Sequence, residues 1–127
     1  MIVDASAVIA ALGRTDVTRR LGEEDRLSAP DLIIPETLNA LWKARRAGVE
    51  SAPVVRVLAL LDRIRIVPSR PYAGRASDLA AALDHPVYDC LYLAMAESES
   101  DRLATFDGRF ANKLKGAMRK RIVLLGP

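Results

Sequence analysis

The sequence is as informative in what it lacks as in what it carries. It has a single cysteine, Cys90, which excludes an intrachain disulfide framework and any cysteine-rich zinc site. No apolar run approaches the roughly 18 residues needed to cross a bilayer, so no membrane partner is expected. The N-terminus has no basic stretch leading into an apolar core, so no signal peptide is expected and the setting is read as cytoplasmic. Internal repeats and low-complexity linkers are also missing. With 127 residues, the chain is long enough for one domain with a real core and too short for two, so residues 1–127 are read as a single domain. The first strand begins at Met1, so little is expected to precede it.

What is present is a regular alternation. Ile2-Val3 is a short apolar strand running into Asp4, and good helix formers follow from Ala5 to Leu12, with Gly13 as a stop. Thr15-Asp16 starts a short helix to Leu21, and Arg26 to Ala29 reads as a strand. A helix spans Leu32 to Ala47, its proper start near Pro35. Ser51 is expected to cap the next helix, with Pro53 in its first turn and a stripe at Val54, Val57, Leu58, Leu61 and Ile64. Arg65-Ile66-Val67 is a strand. Helices follow over Ala73 to Leu83 and Tyr88 to Ser98, then a strand from Leu103 to Phe106. A basic helix from Phe110 to Met118 and a strand from Ile122 to Leu125 end the chain. Short strands alternating with helices predict an α/β sandwich around a mainly parallel sheet.

Four acids stand where these elements change. Asp4 and Asp107 follow strands, while Glu36 and Asp89 fall in first helical turns. Singly, each is an ordinary helix cap or dipole partner. Together they are harder to dismiss, because Asp4 follows an apolar strand and Asp89 sits in Val87-Tyr88-Asp89-Cys90-Leu91-Tyr92-Leu93. Carboxylates clustered in such settings repel or take up protons unless a cation holds them. A hard ion with oxygen ligands, Mg²⁺ or Mn²⁺, meets that need, and such a site can bind a phosphodiester and activate water.

These residues resemble the PIN domain: Ile2-Val3-Asp4-Ala5-Ser6, Pro35-Glu36-Thr37-Leu38-Asn39-Ala40-Leu41, Tyr88-Asp89-Cys90-Leu91-Tyr92-Leu93-Ala94 and Ala104-Thr105-Phe106-Asp107. More narrowly, the chain is similar to VapC-type toxin ribonucleases of toxin–antitoxin pairs. The resemblance runs from Met1 to the last strand. It implies a three-layer α/β/α sandwich with a central, mainly parallel five-stranded sheet, and Mg²⁺- or Mn²⁺-dependent endoribonuclease activity. It further implies Asp4, Glu36, Asp89 and Asp107 as a catalytic and metal-binding quartet, with Ser6 and Thr105 in supporting positions. Asp4 and Asp89 are the leading candidates for direct ligation. An RNA substrate, a cognate antitoxin and a homodimer are implied by the same resemblance.

Other features have weaker readings. The formal net charge is +3 and arginine greatly outnumbers lysine, which suits phosphate contacts, although basic clusters are commonly solvated helix faces. Lys113 and Lys115, on the expected basic helix, are candidates for RNA binding. His85, the only histidine, is read as a turn residue before Pro86 rather than an acid or base. Cys90 is expected to be a buried, inert thiol. Trp42, Tyr88 and Tyr92 are read as core or interface residues, with base stacking as the alternative. A catalytically degenerate RNA-binding relative is a second reading. A phospho-accepting receiver module is a third, opposed by the lack of an acid beside Asp4 and of a lysine between Phe106 and Lys113.

Overall fold

The computed structural model describes residues 1–126. Five short strands form one sheet: β1 (Ile2–Val3), β2 (Ser28–Pro30), β3 (Arg65–Val67), β4 (Leu103–Thr105) and β5 (Ile122–Leu124). Their order across the sheet is β3-β2-β1-β4-β5 and every pairing is parallel. Helices occupy each crossover: α1 (Ala5–Gly13) and α2 (Thr15–Gly22), α3 (Ile33–Arg46) and α4 (Val54–Leu61), α5 (Ala73–Leu83) and α6 (Val87–Ser98), then α7 (Gly108–Lys113) and α8 (Gly116–Lys120). This is the expected three-layer α/β/α sandwich. Among the described residues, no helix is long and apolar enough to cross a membrane.

The topology decides where a ligand goes. Crossovers step from β1 to β2 to β3, then return past β1 to β4, so the direction reverses between β1 and β4. Open parallel sheets bind ligands at the carboxyl ends of the strands flanking such a reversal. Here those ends are Val3-Asp4 and Thr105-Phe106-Asp107.

Helix α6 is the most deeply buried helix of the site. Its middle, Cys90 and Tyr92 through Ala96, is buried on nearly every side, because α6 packs on β1, β2, β4 and on α5. A helix apolar all round belongs in an interior, not on a surface. Its first turn, by contrast, emerges from the core with Val87 and Tyr88 exposed.

Several expectations need correction. Helix α3 starts at Ile33, not near Pro35. Pro35 is the third helical residue, where the N–H has no intrahelical acceptor and proline costs little. Ser51 does not cap α4. Pro53 is the N-cap, with φ −62° and ψ 147°, and the residue before a proline is pushed to extended backbone, which leaves Ser51 too far back. The apolar stripe is buried only in part: Val57, Leu61 and Ile64 are buried, Val54 and Leu58 face solvent, and α4 ends at Leu61, before Ile64. The basic helix is two short ones. Leu114 and Lys115 are extended and Gly116 takes φ 58°, a left-handed value that glycine adopts without steric cost. Of the three aromatics read as core or interface residues, Tyr92 is interior and Trp42 and Tyr88 are exposed.

Candidate active site

Asp4 leaves β1 in extended backbone and caps α1, its Oδ1 accepting the Ala7 N–H at 2.9 Å. The same oxygen accepts the Ser6 hydroxyl at 2.6 Å. Ser6 Oγ also accepts the Phe106 N–H at 2.8 Å and lies 3.3 Å from Thr105 Oγ1, which in turn accepts the Asp107 N–H at 3.1 Å. The two small hydroxyls therefore stitch the end of β1 to the end of β4. Burial pushes the Asp4 carboxyl up to about 6; hydrogen bonds from Ser6, Thr105 and Ala7 oppose the rise, and the nearby Asp89 charge adds to it.

Glu36 is half-buried in the first turn of α3. Its Oε1 accepts the Tyr92 hydroxyl at 2.6 Å. Burial raises its pKa, the Tyr92 hydrogen bond opposes this, and the Asp89 charge raises it further. Asp89 stands in the first turn of α6, its Oδ2 2.5 Å from His85 Nε2. Asp89 thus lies within electrostatic reach of both Asp4 and Glu36, and burial, Glu36, Asp4 and Asp89 all oppose ionisation of the Tyr92 hydroxyl.

Asp107 is placed differently. It caps α7, with Oδ1 accepting the Arg109 and Phe110 N–H groups at 2.9 and 3.2 Å. It joins Asp4 only through the Thr105–Ser6 bridge, and it joins Glu36 as a wall of one groove of about 720 Å³. That groove is lined by Ser6, Glu36 and Asp107 together with Arg14, Asn39 and Lys43, with Ile9 and Phe106 as apolar walls. Asp4 and Asp89 lie outside its lining. Sequence reading missed Arg14 and Asn39 altogether. Asn39 and Lys43 repeat Glu36 at about one and two helical turns along α3, a spacing that was available to find them.

The hydrogen bonds to Glu36, Asp89 and Asp107 each fall on one oxygen, Oε1, Oδ2 and Oδ1 respectively, and among the described residues the other oxygen of these three has no hydrogen-bond partner. No three His, Cys, Asp or Glu side chains among the described residues stand together as a ready cage for one ion. The donor set itself suits a hard divalent cation: all oxygen, partly buried, with Asp89 repelling Asp4 and Glu36, and with a free oxygen on Glu36, Asp89 and Asp107.

The neighbouring residues take defined places. His85 is not a plain turn residue, since its ring bonds Asp89 and packs on Phe110 with ring centroids 4.7 Å apart. Cys90 is buried as expected, and burial, with the Asp89 charge, pushes its thiol up to about 11. Lys113 ends α7 and donates to the Asp84 carbonyl at 2.7 Å, while Lys115 precedes α8, so the two do not share a helix.

Comparison with known proteins identifies the family and the fold. A family model described as the PIN domain matches residues 1–115. Ribonuclease VapC3 of Pyrobaculum aerophilum is 31% identical over 122 residues, spanning 89% of this chain and 93% of its own. Exonuclease VapC9 of the same organism is 31% identical over 126 residues, spanning 98% of this chain and 92% of its own. The crystal structure of PAE2754 from Pyrobaculum aerophilum superposes with a TM-score of 0.74 at 30% identity, covering 91% of this chain and 80% of that one.

Proposed function

This chain belongs to the PIN-domain family, and on that footing we propose that it is a metal-dependent endoribonuclease, the toxin of a toxin–antitoxin pair. The observation that supports the reading is that Asp89 lies within electrostatic reach of both Asp4 and Glu36, beside the sheet's reversal point. Asp4 and Asp89 would hold Mg²⁺ or Mn²⁺, with Glu36 and Asp107 completing the set. When bound, such an ion supplies Lewis-acid stabilisation to the phosphodiester and makes water more acidic.

The chain's own groups do the rest. Ser6 and Thr105 keep Asp4 in one orientation and lock β1 to β4, so the acids are placed before substrate arrives. Glu36, with its raised pKa, is the carboxylate suited to take the proton of the attacking water. Hydrolysis forms one phosphorus–oxygen bond to that water and breaks one ester bond, and a proton ends on the leaving alkoxide. Lys43 and Arg14 in the groove, with Lys113 at the end of α7 and Lys115 just beyond it, supply positive charge for the RNA backbone. The solvent-facing Val55 and Leu58 of α4 and Trp42 of α3 form the surface for a second copy or the antitoxin. We place the protein in the cytoplasm, where the Cys90 thiol stays reduced.

The test is cleavage of end-labelled RNA by wild type and Asp4→Asn in Mg²⁺, Mn²⁺ and EDTA. Internal fragments from wild type, lost in EDTA and in Asp4→Asn, are expected. Because one relative is named an exonuclease, stepwise trimming from one end would replace the endonuclease assignment. Undiminished cleavage by Asp4→Asn, or indifference to EDTA, would overturn the metal mechanism.

A further inference from the structure

Tyr92 is a core residue with an unusual obligation. It is 1% exposed and among the largest fully buried side chains. A buried tyrosine hydroxyl needs a partner, and here the partner is the Glu36 carboxylate at 2.6 Å, 56 residues away in sequence. That length is typical of a charge-assisted O–H···O⁻ bond. Glu36 reaches its position through three rotatable bonds from the first turn of α3, so backbone placement alone does not fix its carboxylate. The Tyr92 ring, by contrast, is already fixed by packing in α6. The same helix presents Asp89 three residues earlier, on the same face.

We infer that Tyr92 is a positioning residue for the ribonuclease site: from the interior of α6 its hydroxyl clamps Oε1 of Glu36, leaving Oε2 free, and so ties Glu36 to the helix that carries Asp89. The inference rests on the proposed function and adds to it a residue that touches neither metal nor RNA. One rigid helix thereby sets two of the four acids, Asp89 directly and Glu36 by way of the hydroxyl. A competing account makes the bond a mere satisfaction of a core tyrosine, with no consequence for the site.

A double-mutant cycle separates the two. Tyr92→Phe removes one hydroxyl and keeps the ring volume, and Glu36→Ala removes the clamped group. Each protein and the double variant, stripped of metal, are titrated with Mn²⁺ by calorimetry and assayed for kcat and KM on an RNA oligonucleotide. Loss of such an outer hydrogen bond is expected to weaken Mn²⁺ binding or lower kcat by roughly tenfold or more. KM is expected to change by no more than about twofold, and in the Glu36→Ala background Tyr92→Phe is expected to have no more than about a twofold effect on either readout. Glu36→Asp, which draws the carboxylate back from the hydroxyl at constant charge, gives a second arm: it should reproduce the Tyr92→Phe loss, with no further loss on combining the two. Wild-type Mn²⁺ affinity and kcat in Tyr92→Phe, or an equal loss in both backgrounds, overturns the inference. A wild-type protein that neither binds Mn²⁺ nor cleaves RNA instead overturns the proposed function beneath it.

Discussion

His85 Nε2 and Asp89 Oδ2 stand 2.5 Å apart, one helical turn along the start of α6, with the imidazole wedged against the Phe110 ring. A carboxylate only accepts, so Nε2 carries the shared proton. Nδ1 is buried and has no partner among the described residues, so the ring's one polar contact is with Asp89. The loop before it is tied as well, because Lys113 donates to the Asp84 carbonyl. Helix α7, capped by Asp107, thus braces the residue that holds Asp89.

Removing this brace should cost activity more than stability. His85→Ala frees the Asp89 carboxylate, and kcat is expected to fall roughly tenfold or more, as for other outer-shell partners of a metal ligand. His85→Gln restores an N–H donor on a side chain of similar reach and should recover part of the loss. Steady-state kinetics on the three proteins, beside urea unfolding curves, make the comparison. Full activity in His85→Ala would remove the residue from the account of the site.

Asp4 gives a pH prediction whose sign is fixed by its raised pKa. With a folded value of about 6 against 3.8 for the free carboxyl, the native metal-free protein holds an extra proton between those values. Stability from this group is therefore present below pH 3.8, falls as pH rises, and is fully lost above about 6. Asp4→Asn carries no such charge and still caps α1. In EDTA, it should unfold at higher denaturant than wild type at pH 7, by on the order of 1–3 kcal/mol, and the gap should close towards pH 4. Adding Mn²⁺ should stabilise wild type and leave Asp4→Asn unmoved. A wild-type protein as stable as Asp4→Asn at pH 7 without metal would contradict the burial of a costly carboxylate.

The local signals in the sequence were read well where one segment carries its own evidence. Ile2-Val3-Asp4 and the first turns holding Glu36 and Asp89 are legible because strand ends, prolines and helix starts mark them. Pairings across the fold are not. Tyr92 and Glu36 meet only because α3 and α6 both begin at the same sheet edge, and no periodicity connects them. His85 and Asp89 are four apart, but the helix begins at Val87 between them, so the proline before it makes the histidine read as a plain turn. The basic segment failed for a local reason: charge suggested one helix, while extended backbone at Leu114 and Lys115 ends the first and the left-handed Gly116 opens the second. Strands of two or three residues carry too little pattern to fix their ends, hence the shift of β2 from 26–29 to Ser28–Pro30.

The division of the basic segment changes which cation should matter most for RNA. Lys43 lines the groove with Glu36 and Asp107, whereas the Lys113 ammonium is already committed to the Asp84 carbonyl. A lysine that neutralises a phosphate of single-stranded RNA contributes about 0.7 to the slope of log affinity against log salt. Lys43→Glu in the Asp4→Asn background should therefore weaken RNA binding and flatten that slope by about that amount or more. Lys115→Glu should act in the same direction, and Lys113→Glu should have the smallest effect of the three. Mn²⁺ affinity of the single variants, measured with Asp4 intact, should not change, since none of the three supplies a ligand. Fluorescence anisotropy of a labelled oligonucleotide across a salt series reads the slope directly. An unchanged slope in Lys43→Glu would take the RNA path out of the groove beside Glu36 and Asp107.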